Sequence, residues 1–157
     1  MRSIGHFIGG KHVKGTSGRF ADVFQPMTGD VQAQVALATK AELRAAVENA
    51  KAAQPAWAAT NPQRRARVFM KFLELVARDN DAMAEMLARE HGKTFPDAKG
   101  DILRGVEVVE FALGAPHLMK GEYMEGAGPG IDLYSIRQPL GVVAGITPFN
   151  FPAMIPM

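Results

Sequence analysis

The sequence predicts a mixed fold, α/β or α+β, with a parallel sheet just beginning towards its C-terminal end. Three observations carry this reading. Residues 1–38 fall into short runs of strand character separated by turn residues. Residues 39–113 carry apolar side chains at helical spacing. Residues 141–146 are continuously apolar, the pattern of a strand covered on both faces.

Each element has a local reason. Phe7-Ile8, Gly9-Gly10 and Lys11-His12-Val13 form a hairpin signal. Strands are expected over 20–24 and 31–38, with Pro26-Met27-Thr28-Gly29-Asp30 supplying the turn between them. Thr39 and Glu42 fit a capping box, in which the hydroxyl accepts the N3 amide and the carboxylate reaches back to the cap. The helix they open carries Leu43, Ala46, Val47, Ala50, Ala53 and Trp57 on one stripe. Asn61 before Pro62 starts a second helix, since proline at the first helical position loses no bond. Ala66, Phe69, Met70, Leu73 and Val76 line it. A third helix is expected from about Asn80, carrying Met83, Met86 and Leu87 and stopped by Gly92. Thr94 and Asp97 cap a fourth, striped by Ile102, Val106, Val109 and Leu113. After Lys120 the period changes to two. Strands over 121–125 and 131–138 are joined by the glycine-rich stretch 126–130. Neither face of the second is cleanly apolar, which suits a ribbon that leaves the core to pair with another subunit.

Composition bounds the function. The chain has 157 residues, 47% hydrophobic and 22% charged, so a wholly disordered chain is excluded. Its 18 Lys and Arg stand against 16 Asp and Glu, too thin a margin to argue for a nucleic-acid or membrane surface. There is no cysteine, which excludes disulfides, thiolate metal sites and a thiol nucleophile within these residues. His6, His12, His91 and His117 lack metal-ligand spacing, so no metal site is expected. Arg64, Arg65 and Arg67 read as the solvated side of a helix. The N-terminus has neither signal-peptide nor transit-peptide character, and a soluble, cytoplasmic protein is the default. Residues 139–157 carry no charge, and prolines at 139, 148, 152 and 156 argue against a spanning helix. A run so apolar is expected to be buried core, and the chain is expected to be a piece of a longer protein.

The most unusual stretch is Gly145-Ile146-Thr147-Pro148-Phe149-Asn150-Phe151-Pro152. Loops at the carboxyl ends of parallel strands are where open α/β sheets bind ligands. Asn150 offers a neutral amide between two aromatic rings. It can stabilise an oxyanion, or it can do no more than fix the turn.

The run Leu140-Gly-Val-Val-Ala-Gly-Ile-Thr-Pro-Phe-Asn-Phe-Pro resembles the aldehyde dehydrogenase superfamily. Phe7-Ile-Gly-Gly-Lys, the Pro-x-Thr-Gly turn at 26–29, Ala56-Trp57 and Glu90-His-Gly-Lys-Thr support the resemblance. Ile-Thr-Pro-Phe-Asn-Phe-Pro-Ala-Met-Ile-Pro and Gly100-Asp-Ile-Leu-Arg-Gly-Val-Glu-Val-Val-Glu look most like the CoA-acylating methylmalonate-semialdehyde dehydrogenase branch. The resemblance implies an α/β fold: the N-terminal part of the aldehyde dehydrogenase fold, reaching the first strand of the Rossmann-like NAD domain. On that basis 1–119 is the N-terminal part of the NAD-binding domain, 120–138 an oligomerisation ribbon and 139–157 the start of the Rossmann-like core.

The resemblance also implies roles. Asn150 matches the residue that donates its amide to the carbonyl oxygen under attack. The main chain at Thr147 and Phe149 matches positions that touch NAD, with Phe149 equally a wall of the substrate tunnel. Arg104 is expected to pair with the substrate carboxylate, which its planar fork suits; a surface ion pair to Glu107 is the alternative. The expected reaction oxidises a malonate or methylmalonate semialdehyde to acyl-CoA through a cysteine thioester, with NAD as cofactor, CoA as co-substrate and a dimer or tetramer as the assembly. The cysteine and the rest of the NAD site are expected outside these residues, so the segment alone is expected to be inactive. Another branch, such as the succinate-semialdehyde type, or a non-catalytic remnant that docks on a full-length homologue, is the alternative.

Overall fold

The computed structural model describes residues 1–157. Five short strands come first: β1 (Arg2–Ile4), β2 (His6–Ile8), β3 (Lys11–Val13), β4 (Phe20–Phe24) and β5 (Val31–Ala36). Helices α1 (Lys40–Ala59), α2 (Pro62–His91), α3 (Phe95–Ala112) and α4 (Ala115–Leu118) follow, and then the ribbon strands β6 (Tyr123–Gly128) and β7 (Ile131–Tyr134). No helix is long and apolar enough to cross a membrane.

The first sheet has the order β1-β5-β4. β1 runs parallel to β5, with Ser3 opposite Gln34, and β4 runs antiparallel to it, with Asp22 opposite Gln34. The expected hairpin forms as β2 and β3, with Phe7 opposite His12 and positive φ at Gly9 and Gly10. β1 lies outside the expected strands. Its parallel pairing is made with residues about thirty positions away, and no local pattern announces it.

The helix boundaries follow their caps. The Thr39 hydroxyl accepts the Glu42 N–H at 3.1 Å, and the Glu42 carboxylate accepts the Thr39 N–H at 2.7 Å. The other oxygen of Glu42 accepts the Thr16 N–H at 2.7 Å, so the cap also ties down the preceding loop. These bonds favour the charged carboxylate and lower its pKa from 4.5 to about 2. Asn61 accepts from the Arg64 N–H, and Thr94 from the Asp97 N–H. Gly92 ends α2 with φ 85°.

Two helices expected to be separate are one. The chain runs helical from Pro62 to His91, through Asn80. Asn in a helix interior costs only some tenths of a kcal/mol against Ala, and no glycine or proline interrupts here. An ion pair from Asp81 to Lys99 of α3 engages the same turn. The expected stripe on α1 stays outside the core: Leu43, Val47 and Trp57 are exposed and no residue of α1 is buried. Arg65, expected on a solvated face, turns inward, and its guanidinium lies 3.6 Å from Met119 Sδ.

The core sits between α2 and α3. Val76, Ala84 and Leu87 of α2 meet Ala98 and Ile102 of α3, with Ala153 and Met157 packed against them. Ile102 is 0% exposed. Residues 141–146, expected as a buried strand, lie outside this core without a ladder. A strand's backbone groups need a neighbouring strand, and no N–H or C=O of residues 139–150 is bonded within the chain. Ile146 is fully exposed. The ribbon differs at its ends: β6 runs to Gly128, into the stretch expected as a joining loop, and β7 stops at Tyr134.

Candidate functional site

The loop that carries Asn150 leaves the exposed run and comes to rest on α3. Residues 152–156 make a single turn, with the Ile155 N–H donating to the Phe151 carbonyl at 3.2 Å. Ala153 and Met157 then join the α2–α3 core. Gly105 permits this approach: a Cβ there would fall on Met157 Sδ and lie 3.2 Å from Met154 Cα.

A buried ion pair sits beneath the loop. Asp101 projects from the apolar face of α3, alongside Ala98, Ile102, Gly105 and Val109. Its side chain is 0% exposed. Lys93, just before the Thr94 cap, donates to Asp101 Oδ2 at 3.1 Å. Asp101 Oδ1 accepts the Met154 N–H at 2.9 Å. Lys93 Nζ also lies 4.2 Å from the centroid of the Phe151 ring, within range of a cation–π attraction.

Arg104, one α-helical turn after Asp101 on the sequence, is exposed and makes no ion pair with Glu107. Its guanidinium carbon lies 5.3 Å from the same Phe151 ring centroid. The structure therefore brings Arg104 to the loop of Asn150, by way of the intervening ring. Asn150 is exposed, and its side chain has no hydrogen-bond partner within the chain. Thr147 and Phe149 are exposed as well, with free main-chain groups, and Phe149 is 85% exposed.

Behind the loop an apolar cavity of about 590 Å³ opens between α2 and residues 149–157. Phe72, Met83, Leu87, Phe149 and Met157 line it, and Glu90 and His91 add polarity at one end. The methionines expected as core filler thus line part of a cleft. Lys93, Asp101, Phe151 and Gly105 all stand in motifs quoted for the resemblance, but the sequence reading gives them no role in the site. One signal was available: Asp101 falls at helical spacing among Ala98, Ile102, Gly105 and Val109, where a lone carboxylate needs a partner.

The chain resembles known proteins along its whole length. It is 47% identical over 157 residues to the malonate-semialdehyde dehydrogenase of Pseudomonas aeruginosa, covering all of this chain and 31% of that protein. It is 49% identical over 154 residues to the acylating mitochondrial methylmalonate-semialdehyde dehydrogenase of Arabidopsis thaliana, covering 98% of this chain and 25% of that one. Among solved structures, it superposes at a TM-score of 0.96 and 68% identity on a Sinorhizobium meliloti 1021 protein, provisionally described as a methylmalonate-semialdehyde dehydrogenase and complexed with NAD. That match covers 99% of this chain and 32% of the other. The methylmalonate-semialdehyde dehydrogenase of Oceanimonas doudoroffii matches with a TM-score of 0.95 and 47% identity, again over 99% of this chain and 32% of that one. The chain thus spans a quarter to a third of the length of these relatives, in their N-terminal part. The sequence profile of the aldehyde dehydrogenase family matches residues 12–157, and the chain belongs to that family.

Proposed function

We propose that this chain is the N-terminal segment of an NAD-dependent, CoA-acylating dehydrogenase of malonate or methylmalonate semialdehyde. The carrying observation is the Asn150 loop, anchored to α3 by Asp101 while its amide stays unpaired and outward-facing. An amide so placed can donate to the oxygen of a carbonyl under attack, where negative charge develops. The attacking thiol belongs to residues outside this cysteine-free stretch. The free main chain at Thr147 and Phe149 fits a cofactor edge that needs backbone partners. NAD, when bound, supplies the hydride acceptor; this segment's share is to offer backbone groups and an aromatic wall to it. Arg104 recognises the substrate carboxylate, its guanidinium held near the loop by the Phe151 ring. Residues 120–138 form the oligomerisation ribbon, whose strands are exposed on both faces, and 139–157 begin the nucleotide-binding core.

In the native enzyme, Asn150→Ala is expected to lower kcat roughly a hundred- to a thousandfold and to leave the KM for NAD nearly unchanged. Equal losses in both would count against the oxyanion role. Arg104→Leu is expected to raise the KM for a carboxylated aldehyde and not for propanal.

One observation favours a second reading. With no cysteine and with Leu140, Val143 and Ile146 exposed, the chain could act as a non-catalytic partner that docks on a full-length homologue. The intact mass of the native protein separates the two readings. A mass several times 16.9 kDa supports the enzyme, and a mass equal to it supports the docking partner.

A further inference from the structure

Asn150 has no fixing contact of its own. Two polar contacts just downstream of it lead to one ion pair. The Phe151 ring meets the Lys93 ammonium, and the Met154 N–H meets the Asp101 carboxylate. Asp101 spends one oxygen on Lys93 and the other on the loop, so the pair is at once neutralised and directed.

A pair this buried is costly to place. Removing two charges from water is strongly unfavourable, and apolar residues of similar volume often pack as well or better. The face of α3 that carries Asp101 is otherwise alanine, isoleucine, glycine and valine. Packing alone gives no reason for a carboxylate there. Direction does: charge-assisted hydrogen bonds are short, strong and angle-dependent, and they fix a backbone in a way that apolar contact does not.

We propose that Lys93 and Asp101 are positioning residues for Asn150, holding the backbone of residues 151–154 so that the amide one residue upstream keeps its aim. This rests on the reading of Asn150 as the oxyanion donor. Neither residue touches the reacting atoms, and both act through the loop. A misplacement of about 1 Å can cost about a hundredfold in rate, so loss of the pair should be felt in kcat while cofactor affinity holds.

A double-mutant cycle on the native holoenzyme tests this. The kcat is measured for wild type, Asn150→Ala, Asp101→Ala and the double variant. Asp101→Ala is expected to lower kcat by about ten- to a hundredfold when Asn150 is present, with the KM for NAD little changed. In the Asn150→Ala background the same substitution is expected to cost less than about threefold, since there is no amide left to aim. Equal losses in both backgrounds would mean that Asp101 acts elsewhere, and would overturn the positioning role alone. A wild-type kcat in Asn150→Ala itself would overturn the oxyanion reading and this proposal with it. If Asp101→Ala does not fold, Asp101→Asn and Lys93→Met enter the same cycle: the first keeps an acceptor for the Met154 N–H without the charge. Full kcat in both would overturn the proposal. Lys93→Arg, which keeps a cation near the ring and the carboxylate, is expected to recover most of what Lys93→Met loses.

Discussion

Helix α3 and the run from 139 to 149 are both rich in apolar residues, yet their fates differ. α3 buries Ala98 and Ile102 against α2, and its Val109 is buried as well. The run leaves Leu140, Val143, Ile146 and Phe149 to solvent. The difference lies in the partner. α3 finds α2 within the same hairpin of helices, whereas a run read as a doubly covered strand needs neighbours on two edges and two faces. Apolar patterning states what must be covered and leaves open what covers it.

Substitutions in each region test the contrast. The largest effect on stability is expected at Ile102. Ile102→Ala should destabilise the chain by about 2–5 kcal/mol, read as a lower urea midpoint. The matching change at the fully exposed Ile146 should move it by less than about 0.5 kcal/mol. Comparable losses at both positions would erase the distinction between the regions.

A smaller effect is expected at the seam between them. Gly105→Ala places a methyl against Met157 Sδ and close to the Met154 backbone. The thioether can swing away and the backbone less easily, so a cost of about 1 kcal/mol is expected. The Met154 amide should also exchange faster with deuterium, because displacement of 153–157 loosens its bond to Asp101.

The smallest effect is expected at the N-terminus of α1, far from either region. Glu42 titrates at about 2 in the folded chain against an ordinary 4.5. Its contribution is fully present above about pH 4.5. Below that the unfolded chain takes up the proton first, so the contribution falls as pH falls and is gone below about pH 2. Glu42→Gln should flatten this acid limb, seen as a smaller drop in thermal midpoint between pH 5 and pH 3.

Much of the fold was legible because its signals are local. Thr39 with Glu42, Asn61 with Pro62, Thr94 with Asp97, and Gly92 each act within one turn of a helix end, and all four act as read. Asn80 misled because its preference for caps is weak against the packing of a helix that continues on both sides. β1 was missed because its partner is remote in sequence. In the candidate site, composition marks the Pro-Phe-Asn-Phe-Pro loop as unusual and leaves Asn150 open between oxyanion donor and turn residue; the donor role comes from the family resemblance. The Lys93–Asp101 pair did not stand out. Its partners are eight residues apart across a helix start, and the backbone they hold lies 53 residues further on.

Gly92 stands at the start of that arrangement, one residue before Lys93. Its φ of 85° excludes most side chains, and independently a Cβ there would lie 2.8 Å from Pro26 Cγ, in the turn between β4 and β5. Two unrelated restrictions meet at one residue. Trimming Pro26 would relieve the crowding and leave the backbone penalty, so no single change elsewhere makes the position permissive. The tolerance of position 92 to substitution is therefore bounded by the turn between β4 and β5 as well as by the backbone conformation that ends α2.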